Sequence, residues 1–324
     1  MIAAKKAKND EFYTQLSDIS AELTHQEYLN EFRGKWIYCN CDNPEISQFY
    51  RFFVLYFQKL GISRLTCTYL AGTSGSKNPV AYRYDIYGDL NGNGIIDDGD
   101  IEITQLTGNG SFDSPECLEI LQACDVVVTN PPFSLFREYI SLLENYQKKY
   151  LIMGNINAVN HLAPLIRDNK IWPGYKFNGK PLEFEIPSSY SFTSSYNNGI
   201  IVNKKQLVKV VIGWWTNIEL KKRLSPFILT KNYFGNENNY PKLDNYDAIN
   251  IDRAVDIPKD YFEVMAVPVS FIDKICPNQF SVIGVTYSKD RDPRIEQYRT
   301  DQKRVHSPFL NGKELYPRLL IKRK

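Results

Sequence analysis

The nine residues from Asp125 to Phe133, DVVVTNPPF, constrain the fold of this 324-residue chain more than any other stretch. Three valines followed by threonine lack the alternation of a half-exposed strand. They suit a strand buried on both faces, as in a parallel sheet covered by helices. Two consecutive prolines then fix φ, remove two backbone donors and forbid continuation of strand or helix. In open α/β sheets ligands bind at the carboxyl ends of the strands, so an abrupt stop at that edge marks a candidate site.

The flanking pattern supports such a sheet. Lys35 to Cys41 alternates like a strand, and Pro44 to Leu60 places Ile46, Phe49, Tyr50, Phe53, Phe57 and Leu60 on one helical face. Gly61 ends that helix, and Arg64 to Leu70 is a second β-rich run. Ala81 to Tyr87 and Ile101 to Leu106 read as strands flanking a glycine-rich loop. Ser114 to Ala123 predicts a short helix, Asp125 to Thr129 a strand, Leu135 to Tyr146 a helix and Tyr150 to Gly154 another strand. The expected class is α/β, a doubly wound Rossmann-like sheet. Beyond about Ile171 short polar and aromatic segments follow that periodicity does not resolve, although Trp214 and Trp215 read as core. The expected division is a catalytic domain over residues 1–220, with a hairpin insertion at 71–106, and a further region over 221–324 packed on it.

Composition narrows the function classes. A net charge of +2 announces no polyanion partner globally, so any basic surface must come from uneven distribution. No apolar run approaches a membrane span, and the N-terminus lacks the apolar core of a secretory signal, so a cytoplasmic protein without a membrane partner is expected. The six cysteines then read as thiols, because Cys39 and Cys41 have no second pair at zinc-ligand spacing. One metal motif stands out locally. Asp89, Asn91, Asn93, Asp97 and Asp100 match the ligand positions of a calcium loop, with Gly94 at its sharp turn. Its flanks alternate like strands instead of forming paired helices, so an acidic hairpin loop is the favoured reading and any calcium there would be structural.

The chemistry of Asn130 to Phe133 is specific. The Asn130 side-chain carbonyl and the Pro131 carbonyl are two acceptors for a planar amino group, Pro132 stiffens the loop, and Phe133 adds a face on which a ring can stack. A flipped base fits such a pocket, whereas a plain turn opened by Asn-Pro is the bland alternative.

Asn130 to Phe133 also resembles the catalytic motif of amino-group methyltransferases that use S-adenosylmethionine, above all those modifying adenine N6. With DEFYTQ at Asp10 to Gln15, YCNCDNP at Tyr38 to Pro44, WTN at Trp215 to Asn217 and the run from Lys231 to Asn250, the chain is similar over most of its length to the EcoRI-type adenine-specific DNA methyltransferases. The resemblance implies methyl transfer to adenine N6 in duplex DNA by base flipping, with no catalytic metal. It implies cofactor contacts from Phe12, Tyr13, Thr14, Asn40, Asp42, Ser111, Phe112, Asp113 and Asn130, with Asn130, Pro131, Pro132 and Phe133 as the catalytic set. YCNCDNP replaces the glycine-rich loop of many relatives, Ser111 stands where many carry an acid, and the acid that commonly binds ribose is missing after the second strand. The elaborated region over 221–324 is then the expected DNA-recognition region, with Lys231, Asn232, Asn236, Asn238, Asn239 and Lys242 as the candidate DNA contacts. A monomer, in a restriction-modification setting with a cognate nuclease, completes the expectation. Methylation of RNA adenine or a protein glutamine amide, or a silent DNA binder, are the alternatives.

Overall fold

The structure, a computed structural model, describes residues 16–72, 80–177, 182–186, 199–202, 205–210, 212–286, 293–301 and 307–324. The described residues fall into two compact units, one within Met1–Ile156 and Gly174–Glu219, the other within Asn157–Pro173 and Leu220–Lys324.

The first unit opens with helices α1 (Leu16–Leu23) and α2 (Gln26–Phe32), then strand β1 (Trp36–Cys39). Helix α3 (Gln48–Leu60) starts and stops where its chemistry directs. Ser47 Oγ accepts from the N–H groups of Phe49 and Tyr50 at 3.1 and 3.2 Å. Gly61, left-handed at φ 64°, returns its N–H to Phe57 and Gln58. Phe49, Tyr50, Phe53, Phe57 and Leu60 are buried as the helical period requires, joined by Phe52, while Ile46 lies in the turn before the helix.

Strands β2 (Arg64–Thr68), β3 (Tyr82–Ile86) and β4 (Ile101–Gln105) follow, then helix α4 (Pro115–Ala123), β5 (Val126–Thr129), helix α5 (Phe136–Asn145) and β6 (Lys149–Asn155). Within this unit the sheet runs β4-β3-β2-β1-β5-β6 and ends on β11 (Ile212–Thr216). Four central strands, β2, β1, β5 and β6, are parallel. The flanks are antiparallel: β3 and β4 form a hairpin against β2, and β11 runs against β6. The sheet is therefore mixed, with the expected parallel winding confined to its centre. The reason is local. A hairpin needs no covering crossover helix, so β3 and β4 close their edge antiparallel. All four residues of β5 are buried, as the β-branched run requires, and Trp214 and Trp215 are core.

A separate three-stranded antiparallel sheet, β8 (Leu182–Ile186), β10 (Lys205–Val210) and β9 (Gly199–Val202) in that spatial order, also belongs to this unit. The second unit holds α6 (Val159–Arg167), the short strand β7 (Trp172–Pro173), and a sheet ordered β12 (Ile249–Asn250), β13 (Met265–Pro268), β17 (Arg318–Arg323), β14 (Phe280–Val285). Helix α6 packs on β14. A small hairpin of β15 (Phe309–Leu310) and β16 (Lys313–Glu314) turns through Asn311 and Gly312, both at positive φ, whose N–H groups Asp244 accepts. Leu243, Tyr246, Ala248, Val264, Ala266, Ile295 and Leu320 form a core of this unit. Among the described residues no helix is long and apolar enough to cross a membrane.

Candidate active site

The chain leaves β1 through α3 to β2 on one side, whereas β5 lies on the other side of β1. The loops after β1 and β5 therefore diverge, and the crevice they leave is the ligand position of an open α/β sheet. Asn40 to Asn43 occupies the first loop and Asn130 to Phe133 the second.

The two loops are tied together. Thr129 Oγ1, at the end of β5, donates to Asp42 Oδ2 at 2.5 Å and accepts from the Cys41 N–H at 3.2 Å. Ser47 Oγ donates to Asp42 Oδ1 at 2.7 Å, and the backbone N–H of Asn130 also bonds this carboxylate. Asp42 is 6% exposed. Burial pushes its carboxyl up to about 6, opposed by the bonds from Thr129, Ser47 and Asn130. In the second loop Pro131 is buried, and Phe133 begins a single 3-10 turn, Phe133–Leu135, closed by the Leu135 N–H on the Pro132 carbonyl at 3.0 Å.

Asn40 is 1% exposed, and its Oδ1 accepts from the Tyr139 hydroxyl of α5. Burial pushes the Tyr139 phenol well above its ordinary range, so it remains a donor, which fixes the amide with Nδ2 turned the other way. Among the described residues that Nδ2 has no acceptor, nor has Nδ2 of the buried Asn43. Two orphaned buried donors at a switch point call for a ligand with acceptors.

The Tyr139 ring meets Phe112 edge-on at 5.0 Å, which joins the loop after β4 to the same cluster. Gly110 in that loop has φ 72°, and a Cβ there would lie 2.1 Å from the Tyr69 carbonyl, so only glycine lets the loop lie against the end of β2. Ser111 Oγ donates to Asp113, and Asp113 is exposed. Asn40, Asp42, Phe112 and the Asn130 to Phe133 loop are thus linked through shared contacts, whereas Ser111 and Asp113 bond one another. Phe12, Tyr13 and Thr14 lie outside the described residues. Tyr139, Thr129, Ser47 and Asn43 were missed from sequence. Thr129 and Ser47 carried only the signals of a strand end and a helix cap, and nothing marked Tyr139.

The acidic loop folds on itself. Asp89 accepts from the N–H groups of Gly92, Asn93 and Gly94, and Asp100 from those of Leu90, Asn91 and Asp97. Asp97 takes the side-chain amides of Asn91 and Asn93. Among the described residues no group of three or more His, Cys, Asp or Glu side chains is placed to hold a metal ion. All six cysteines are free thiols.

In the second unit Lys231, Asn232, Asn236, Asn238, Asn239 and Lys242 are all exposed. Asp260 pins their loop by accepting from the N–H groups of Tyr233 and Phe234 at 2.6 and 3.3 Å, and Lys242 pairs with Asp247 at 3.3 Å.

A large mixed α/β sheet carrying this motif at its switch point is consistent with a Rossmann-like methyltransferase. The chain belongs to the family described as adenine-specific methyltransferase EcoRI, whose sequence profile matches residues 1–324. It is similar to the type II methyltransferase M.EcoRI of Escherichia coli, 39% identical over 99% of this chain and 95% of that protein. Two mycoplasma proteins are also similar: the type II methyltransferases M.MpnI of Mycoplasma pneumoniae, 35% identical, and M.MgeORF184P of Mycoplasma genitalium, 34% identical, each aligned over 99% of this chain and 97% of its own. No solved structure matches the chain significantly.

Proposed function

We propose that the protein transfers a methyl group from S-adenosylmethionine to N6 of adenine in duplex DNA, with the target base turned out of the helix onto the Asn130 to Phe133 loop. The observation that carries this reading is Asn-Pro-Pro-Phe at the switch-point edge beside a buried amide donor with no acceptor among the described residues. Family membership and the type II methyltransferase relatives support it.

The residues present suit the cofactor. Asn40 Nδ2 and Asn43 Nδ2 match a ligand rich in carboxylate and ribose acceptors, and Phe112, braced by Tyr139, offers an aromatic contact. Phe12, Tyr13, Thr14, Ser111 and Asp113 complete the set that the family resemblance implies. When bound, the cofactor supplies a methyl carbon on a sulfonium, which leaves as a neutral thioether once its carbon–sulfur pair returns to sulfur.

The chain's own contribution is alignment. The Asn130 side-chain carbonyl and the Pro131 carbonyl accept from the adenine amino group and draw its lone pair out of ring conjugation, free to form the new nitrogen–carbon bond. Phe133 stacks on the base and offsets part of the few kcal/mol that extrusion costs. No side chain must take a proton beforehand, because the methylated ammonium is acidic and releases its surplus proton to water. Lys231, Asn232, Asn236, Asn238, Asn239 and Lys242 meet phosphates and base edges. A monomer suffices, and a cognate restriction nuclease is the natural partner of such an enzyme.

The test is base-by-base mapping of N6-methyladenine in DNA from methylation-deficient cells expressing the wild type or Asn130→Ala. One sequence motif marked by the wild type is expected, with at least a hundredfold loss, roughly, in the variant. Soluble, cofactor-binding wild type that leaves no mark would turn the search to RNA adenine, a glutamine amide or a silent binder.

A further inference from the structure

Asp42 is a buried acid at the switch point, and the resemblance directs it at the cofactor's positive charge. Its surroundings point elsewhere. An ionised carboxylate offers about four lone-pair sites, and three are taken by donors of the chain itself: Ser47 Oγ, Thr129 Oγ1 and the Asn130 N–H. These donors come from separate places, the cap of α3, the last residue of β5 and the first residue of the Asn-Pro-Pro-Phe loop. Thr129 reaches back as well, since its hydroxyl accepts from the Cys41 N–H. One carboxylate thus joins the loop after β1 to the loop after β5 at the residue where the second loop begins.

We propose that Asp42, Ser47 and Thr129 form a strut that positions the Asn130 to Phe133 loop for transfer, with Asp42 acting through that loop instead of touching cofactor or base. The proposal rests on the methyltransferase reading of the site. Pro131 and Pro132 make the loop stiff but do not set its angle to the sheet. The Asn130 N–H is the last backbone donor before two prolines, so the bond to Asp42 is the anchor nearest the catalytic acceptors.

The strut is strongest with an ionised Asp42, because a proton takes the fourth lone-pair site and turns three charge-assisted bonds into weaker neutral ones. The titratable groups that feel its charge are Cys39 on β1, Cys67 on β2 and Tyr139 on α5, with Cys41 next to it in the chain. Burial pushes Cys39, Cys67 and Tyr139 up, so they stay neutral where Asp42 titrates. The acid limb of kcat then belongs to Asp42, near pH 6.

Thr129→Val keeps the side-chain shape and removes one donor to the carboxylate. We expect kcat on duplex DNA to fall about tenfold with cofactor KM within about threefold, and the acid limb to move to higher pH. Thr129→Ser restores both. Carboxyl carbon NMR of the full chain follows Asp42 without any turnover: it titrates near 6 in the wild type and higher in Thr129→Val. If Thr129→Val does not fold, Asp42→Asn carries the test through loss of the acid limb. A raised cofactor KM with unchanged kcat in either variant would make Asp42 a cofactor ligand and overturn the strut. Titration of Asp42 in the ordinary carboxylate range, unmoved by Thr129→Val, would overturn it too. A wild type inactive on DNA would sink the substrate reading alone, since the NMR result judges the strut independently.

Discussion

Asp42, in the loop after β1, and Asp85, within the sheet, are both buried in the first unit, and the chain surrounds them with opposite chemistry. Asp85 on β3 is fully buried among cations. Arg64 donates to its Oδ1 from Nε at 3.0 Å and from a terminal nitrogen at 2.7 Å, and Thr66 donates at 2.5 Å. Arg83 Nε stands 2.6 Å from Oδ2 as an ion pair without hydrogen-bond alignment. Arg64 itself lies over Trp36 at 3.7 Å and Tyr87 at 4.7 Å. Among the described residues Asp42 has neutral donors only. Pairing with two arginines makes Asp85 a structural node, whereas burial among hydroxyl and amide donors pushes the Asp42 carboxyl up to about 6. A buried carboxylate beside a motif is thus to be judged by whether a cation neutralises it.

The sharpest challenge to that contrast is Arg64→Leu. Leaving Asp85 with one misaligned cation is expected to cost about 3 kcal/mol in urea unfolding, with kcat of the folded fraction within about twofold of wild type. A kcat loss matching that of Thr129→Val would erase the distinction between the two aspartates.

The second challenge uses pH. Folding raises the Asp42 pKa from 3.8 to about 6, so between those values the folded chain holds a proton that the unfolded chain lacks. Its stabilising contribution is complete below about pH 3.8 and is lost as pH climbs through 6, by up to about 3 kcal/mol. Measured against Asp42→Asn, the wild type should lose stability over the window in which its kcat rises. Parallel trends in both quantities would break the assignment.

The smallest effect lies in the second unit. Lys242 and Asp247 form an exposed pair, so Lys242→Ala should change stability by less than about 0.5 kcal/mol. If Lys242 meets a phosphate, the variant weakens binding equally across DNA sequences and lowers the salt slope by about one. An unchanged slope would remove Lys242 from the interface.

The contrast also marks how far the residues could be read in advance. The β1–α3–β2 unit, the hairpin of β3 and β4, and β5 with its Pro-Pro stop follow from local periodicity and the helix stop at Gly61, each expressed within one turn or one strand. The second unit did not follow, because two-residue strands such as β12 carry no period and its sheet takes α6 from far earlier in the chain. Among site residues, Asn130 to Phe133 declared themselves by composition, and Asn40 and Phe112 only through resemblance. Tyr139 and Thr129 did not declare themselves, since a tyrosine in a helix and a threonine ending a strand are ordinary where they stand.

The sequence by itself determined that a buried strand would end in a stiff loop with free acceptors and an aromatic ring, because proline geometry and β-branching act on neighbouring residues. Only the tertiary structure decided what holds that loop. Thr129 meets Asp42 across 87 residues and Tyr139 meets Asn40 across 99. Such bonds exist only once parallel pairing brings the ends of β1 and β5 to one edge, and burial there turns an ordinary aspartate into one that titrates near pH 6.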